Sequence, residues 1–425
     1  MIFDRTHNRR IFLRNSALAM VGTGALPLWL ERAARGAEVT SGSGGQRRKV
    51  LVAIFQRGAA DGLNIVVPHG EPAYYDLRPT INVPRPAAGN DAAALDLDGF
   101  FGLHPSLAPL KPLWAKQQLA VIHATGSPDP TRSHFDAQDY MESGTPGLKA
   151  TADGWLNRAL PPSADNKSPV RAVSLGPALP RAMRGSNNAV AIDNLNTFVL
   201  RDPAASKVMQ AMYNTTGDQI LGGTGKEAFE AMNLLDALRK TPYQPAAGAV
   251  YPKGRLGSSM QQIAQLIKAG VGLEVAFADI GGWDHHVNEI GAKASVGQLA
   301  NILTEFGGSL AAFAQDLGDR MEDVVVVTMS EFGRTAKENG NRGTDHGHGN
   351  VMFAMGGPVS GGKVYGAWPG MMKEQLYEAR DLAVTTDFRD VLAEAVSSHL
   401  GNPAVENVFP GYAASAQKFK GFVRV

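Results

Sequence analysis

Histidines and carboxylates in this sequence gather in a few short clusters. Arg132-Ser133-His134, Asp284-His285-His286 and Asp345-His346-Gly347-His348 are three of them. Glu331, with Arg334 three residues on, and the isolated Asp61 complete the set. Imidazole nitrogen and carboxylate oxygen together suit a divalent cation such as zinc or manganese. One or two such ions would activate a water or hydroxyl and neutralise charge on an ester undergoing in-line displacement. The chain has no cysteine, which excludes disulfides and zinc–thiolate centres. A lone His-x-His is more often a polar loop than a ligand pair; here the weight comes from where the clusters fall.

Ser133 precedes a helical pattern, and the ordinary role of a serine there is to cap the helix. Its other role is nucleophilic, because backbone N–H groups at a helix start stabilise an anion. Both stay open from the residues alone. On the second, Arg132 binds an oxyanion and His134 serves as base, ligand or partner of a ligand. Arg334 brings a further positive charge, or a loop salt bridge. Asn339, Asn341, Asp345 and the glycines between them read as a tight turn aiming His346 or His348 inward.

The elements that must position these groups are visible as apolar runs at 50–55, 119–123, 273–280, 323–329 and 351–355. None alternates with polar residues, as expected of strands buried on both faces of a parallel sheet. Three- and four-residue apolar spacing predicts helices over 107–117, 259–269, 296–317 and 388–400. Strands alternating with helices imply an α/β fold, a three-layer sandwich around a mostly parallel sheet. Ligands then sit beyond the carboxyl ends of the strands. Asp61, His123, Asp284, Glu331 and His346 are expected to meet there. Residues 150–258, rich in Pro, Asn, Ser and Gly, read as an insertion in the domain spanning 49–425, with amphipathic helices over 204–213 and 226–238.

Residues 1–36 read as a targeting segment. Asn8-Arg9-Arg10-Ile11-Phe12-Leu13-Arg14 carries paired arginines, and the following stretch is interrupted by Gly22, Gly24 and Pro27. It is too short for a membrane span of about 20 apolar residues. Small residues place cleavage after Gly36 or Ala37, and a Gly/Ser-rich linker runs over 37–48. The expectation is export by the twin-arginine machinery to the periplasm or beyond. The segment holds six arginines against Asp4 and Glu31, so it contributes +4 of a total of +1 and leaves the rest near −3. No basic stripe supports nucleic-acid binding, and no later run is long enough to span a bilayer.

Several motifs resemble the domain of unknown function 1501 family. They are Phe55-Gln56-Arg57-Gly58-Ala59-Ala60-Asp61-Gly62-Leu63-Asn64, Tyr74-Tyr75-Asp76-Leu77-Arg78-Pro79 and Arg132-Ser133-His134-Phe135. Gly281-Gly282-Trp283-Asp284-His285-His286, Ser330-Glu331-Phe332-Gly333-Arg334-Thr335 and Gly343-Thr344-Asp345-His346-Gly347 follow in order. The resemblance covers roughly residues 49–410, and that family looks like a distant branch of the alkaline phosphatase and sulfatase superfamily. It implies an alkaline phosphatase-like sheet with metal ligands at strand ends. Asp61 would match the early aspartate, Ser133 the nucleophile, Asp284 and His286 an Asp/His pair, and His346 or His348 the last histidine. Glu331-Phe332 stands where an Asp-His pair is usual, so one site lacks a ligand or is rebuilt. The implied metal set is Asp61, Asp284, His286, Glu331, Asp345, His346 and His348, holding zinc, manganese or calcium. The implied catalytic set is Ser133, His134, Arg132 and Arg334.

The function expected is hydrolysis of phosphate or sulfate esters, on a small molecule or a polysaccharide. The alternatives are a non-catalytic surface or carbohydrate-processing accessory protein on the same fold, and a metal-binding protein without turnover.

Overall fold

The computed structural model of the chain describes residues 47–162, 166, 168–198, 219–240 and 242–424. The paired arginines, the cleavage position and the helix expected over 204–213 lie outside them. The nine-stranded main sheet is built from β1 (Val50–Arg57), β2 (Leu119–Gly126), β3 (Ala172–Leu175), β4 (Val190–Ile192), β5 (Val275–Gly281), β6 (Val324–Ser330), β7 (Asn350–Gly356), β8 (Lys363–Tyr365) and β9 (Thr386–Asp387). Their order is β8-β2-β7-β6-β1-β5-β3-β4, with β9 also on β2. Every pairing is parallel except the two that β7 makes, with β2 and with β6.

The continuous apolar runs are explained by burial on both faces. All but one residue of β1, and every residue of β2, β6 and β7, is buried. Alternate side chains serve opposite layers. Leu51, Ala53 and Phe55 of β1 join Val325, Val327 and Met329 of β6 in a core shared with Phe388, Val391 and Leu392 of a short helix, Phe388–Glu394. On the other face Phe353 of β7 meets Phe306 at a ring separation of 6.0 Å. Phe306 belongs to a long helix, Gln298–Leu317, whose apolar side is buried. That helix packs against another, Arg255–Lys268, which also touches β5.

The predicted strands and the helices over 259–269 and 296–317 fall within a few residues of these elements, whereas 107–117 folds as a 3-10 turn, Pro105–Leu110, and a short helix, Lys111–Ala115, and 388–400 is an α-helix to Glu394 that continues as a π-helical turn, Ala395–Leu400. Within 150–258, β3 and β4 extend the main sheet, so this stretch is partly sheet. The described residues within 193–243 belong to a separate unit. It contains the helix Gln219–Arg239, which covers the expected 226–238, and Arg239 Nη1 donates to the carbonyls of Leu195 and Phe198, each at 3.2 Å.

Three strands of the main sheet lead directly to the polar clusters. Asp284 follows β5, Glu331 follows β6, and His134 opens a helix eight residues after β2. Because β7 runs antiparallel, the residues before it arrive at the same edge, and these are Asp345 to His348. An irregular antiparallel contact fixes that approach: Gly347 N donates to Gly333 O (2.8 Å), Gly333 N to His348 O (2.9 Å) and Thr335 N to Asp345 O (2.9 Å). A Cβ on Gly347 would lie 2.3 Å from the Arg334 carbonyl carbon, so the two loops close only around glycine. Gly58, with φ +119°, brings the turn after β1 against the loop after β5, where a Cβ would meet Asp284 N at 2.9 Å.

Candidate metal centre

The loop after β5 presents its polar residues by alternation. Trp283 and His285 turn inward and are buried, while Asp284 and His286 face the open edge. Trp283 anchors the loop through an Nε1 hydrogen bond to Ile280 O (3.0 Å) and an edge contact with Phe306. His134 is the first residue of the helix His134–Ser143 and enters from the β2 side. His346 enters from the strand-like approach to β7.

Donor atoms of His134, Asp284 and His346 lie within 4.8 Å of one another. His134 Nε2 is 3.0 Å from His346 Nε2 and 3.5 Å from Asp284 Oδ2. His346 Nε2 is 3.3 Å from Asp284 Oδ1. His286 Nε2 approaches the shared edge of that triangle, 3.0 Å from both Asp284 Oδ1 and His346 Nε2. Tetrahedral zinc with bonds of about 2.0–2.1 Å keeps neighbouring ligand atoms about 3.3 Å apart. The spacings found here scatter around that value.

The other nitrogen of each ring is held by an acceptor. His134 Nδ1 pairs with Glu331 Oε1 (2.9 Å), His286 Nδ1 with Asp345 Oδ1 (3.2 Å) and His346 Nδ1 with the Arg132 carbonyl (2.9 Å). Carbonyls and ionised carboxylates only accept, so each Nδ1 carries the proton. Burial would raise the Glu331 carboxyl, but hydrogen bonds from His134, Gln138 and backbone hold it below its ordinary range. Asp345 is likewise held low, against burial, by Asn339 and His286. With Nδ1 so held, an uncharged ring offers a bare Nε2 lone pair, and His346 Nε2 faces those of His134 and His286 at 3.0 Å. Lone pairs so placed repel unless a cation or extra protons lie between them. Protonation is opposed at His346, whose pKa is lowered by burial and by the neighbouring charges of His134 and Arg334. His134 is pulled the other way, mainly by its hydrogen bond to Glu331. The donor set thus fits a divalent cation, with a carboxylate or carbonyl orienting each histidine from behind.

Glu331 reaches the centre through His134. Its Oε1 also accepts from Gly58 N (2.9 Å) and Gln138 Nε2 (2.8 Å), and its Oε2 from Ser330 Oγ (3.0 Å). Phe332 is buried with its ring 5.0 Å from that of His134 and 5.1 Å from that of His346. The residue that cannot bind a metal forms an apolar wall for two that can. Asp284 is held below its ordinary range because Arg334, bonded at 2.7 Å, outweighs the cost of burial.

The remaining predicted residues are placed differently. Asp61 is buried and gripped by Arg78, with Nη1 to Oδ2 at 2.5 Å and Nη2 to Oδ1 at 3.0 Å. His348 is buried with its ring stacked on Tyr377 at 4.4 Å. His123 is a core residue: Nδ1 accepts from Ala124 N, Nε2 bonds Val66 O, and burial lowers its pKa to about 4. Arg132 is paired with Asp381 (2.6 Å) and Glu378 (2.7 Å). Arg334 serves Asp284 and Thr344. Ser133 holds the N-cap position but makes no side-chain cap hydrogen bond. Sequence reasoning missed Gln138, Thr344 and the Arg132 carbonyl. A backbone carbonyl leaves no trace in composition, and only Gln138, one turn after His134, carried a readable spacing.

Among the described residues no helix is long and apolar enough to cross a membrane. No curated protein matches the chain. Among solved structures it is similar to the PsFucS1 sulfatase from Pseudoalteromonas sp., at 12% identity over 94% of this chain and 78% of that one, with a TM-score of 0.40. A family profile matches residues 48–402, and the chain therefore belongs to the family described as Protein of unknown function (DUF1501).

Proposed function

We propose that the chain binds a divalent cation on His134, Asp284, His286 and His346 and hydrolyses phosphate or sulfate esters, after export by the twin-arginine route. One observation carries the cation: three imidazoles, each with Nδ1 anchored, aim Nε2 at one another and at one carboxylate. A cation bound there supplies Lewis acidity toward an ester oxygen and offsets the charge that develops on it. Zinc or manganese suits this imidazole-rich set better than calcium, which prefers oxygen.

The chain's own part in the reaction falls to Ser133. It adjoins His134, at a helix start whose N–H groups favour an anion, and its hydroxyl is not committed to capping. Ser133 Oγ would bond to phosphorus or sulfur as the ester oxygen departs, the serine's proton passing to that oxygen to give the alcohol, and water would then cleave the serine ester to restore the hydroxyl. Asp284 and His286 are partly open to solvent, with 44% and 39% of each side chain exposed, so a substrate can approach.

A second reading, cation binding without turnover, draws support from the arginines. Arg132 and Arg334 are both paired with carboxylates and neither is left to bind an ester anion. Metal analysis of protein purified without chelator, combined with hydrolysis assays on aryl phosphate and aryl sulfate, separates the readings. Bound metal with chelator-sensitive hydrolysis supports the enzyme. Metal with no turnover supports the second reading, and the absence of any metal sinks both.

A further inference from the structure

Behind Asp284 lies a closed polar pocket that the site above does not use. Asp61, Arg78, Glu289, Arg334, Asn64 and Thr344 are all buried. Arg334 links it to the centre: Nη1 donates to Asp284 Oδ1 (2.7 Å), Nε to Thr344 Oγ1 (3.0 Å) and Nη2 to Thr344 O (2.5 Å). Thr344 Oγ1 donates in turn to Glu289 Oε2 (3.2 Å). Asn64 Nδ2 donates to Glu289 Oε1 (3.3 Å). Arg78 grips Asp61 with both terminal nitrogens and also donates to the carbonyls of Ala336 (3.0 Å) and Thr335 (2.8 Å).

The pocket has enough carboxylates to suggest a second ion, but its charges and lone pairs are already matched. Asp61 accepts from Arg78 at both oxygens and from Leu63 N at Oδ1 (3.3 Å). Two guanidinium groups stand against Asp61 and Asp284, and both oxygens of Glu289 are already taken as acceptors by Asn64 and Thr344. A dication added here would displace a buried, multiply bonded arginine or leave its own charge uncompensated, and either is costly.

We propose that the centre takes one divalent cation, and that Arg334 is a positioning residue that fixes Asp284 and keeps the pocket behind it closed to a second. The inference rests on the cation reading above. The test is calorimetric titration of the stripped full chain with zinc or manganese, with elemental analysis of the reloaded protein. One ion per chain is expected in the unaltered protein and in Glu289→Gln, which keeps the side chain's size and one acceptor oxygen at that position. Two ions per chain, or loss of the ion in folded Glu289→Gln, would overturn the single-ion assignment and leave the cation reading standing. No ion at all would sink the cation reading itself. Arg334→Gln should weaken binding by about 10–100-fold, the usual cost of losing a residue that orients a ligand, and Arg334→Lys should recover part of that. Unchanged or tighter binding in folded Arg334→Gln would mean that the guanidinium only repels the cation, and would overturn its positioning role.

Discussion

Two groups of histidines in this molecule have opposite surroundings. His104, His123 and His399 lie in the interior; the last two bond a backbone carbonyl, and burial lowers all three to about 4. His134, His286 and His346 lie on loops and a helix start at the carboxyl edge of the sheet, with 24–39% of each side chain exposed. The interior rings stand singly, each with at least one nitrogen bonded to backbone and no second imidazole beside it. The edge rings are each satisfied on one side only and face one another on the other. The sequence neighbourhood does not separate the groups, since His123 also stands at the end of an apolar run. What separates them is the number of imidazoles that share a space.

The largest effect that would sharpen this contrast is acid unfolding of the interior group. In the unfolded chain these three rings take up protons near the ordinary value of 6.5, whereas folded they resist until about 4. The unfolded state therefore holds more protons in that window, so stability is lost as pH falls from about 6.5 toward 4. The loss should amount to several kcal/mol, because each tenfold weakening of a ring's proton affinity on folding is worth roughly 1.4 kcal/mol. Melting temperature followed against pH, with proton uptake on unfolding from calorimetry, checks it. A flat profile between pH 6.5 and 4 contradicts the interior assignment.

Next in size are single ring deletions read in two ways. His346→Ala should lower cation affinity by more than about 100-fold, beyond the 10–100-fold typical of outer partners, with little change in melting temperature. His399→Ala should do the reverse, costing roughly 2–4 kcal/mol of stability through a lost hydrogen bond and a cavity while metal content stays constant. If both variants lose stability and metal alike, the two groups are not physically distinct.

Glu331→Gln probes the anchoring of the edge rings. Affinity for the cation should fall about 10–100-fold, because an amide orients His134 without the carboxylate's charge. Affinity equal to that of the unaltered chain would show that the partner behind the ring is immaterial. The smallest structural effect is expected from Ser133→Ala. No cap hydrogen bond is lost, so the stability change should stay under the about 0.5–2 kcal/mol of a functioning cap, metal content should hold, and ester hydrolysis should disappear. Retained hydrolysis would remove Ser133 from the reaction.

Much of the fold was legible in the chain because strand and helix signals are local. Runs such as 323–329 hold four consecutive valines and no alternation of polar residues to place on a solvent face, and the spacing over 296–317 repeats every three to four residues. The same locality exposed the clusters at Asp284, His286 and His346, each beside the end or start of an apolar run. The roles within those clusters were less legible. His134 reads from sequence as a base or a ligand, and Glu331 as a ligand, yet the chain folds with His134 facing the centre and Glu331 holding it from behind.

The sequence by itself determined which segments become strands, which loops carry imidazole and carboxylate, and which family the motifs match, because each depends on residues near one another in the chain. Only the tertiary structure decided that β7 runs against its neighbours, which brings the residues before it to the working edge. It also decided that Asp61 meets Arg78, seventeen residues away, and so is closed in an ion pair. Whether a carboxylate binds a cation or a guanidinium depends on which charged group the fold carries to within about 3 Å of it, and that distance is set by strand order and loop approach.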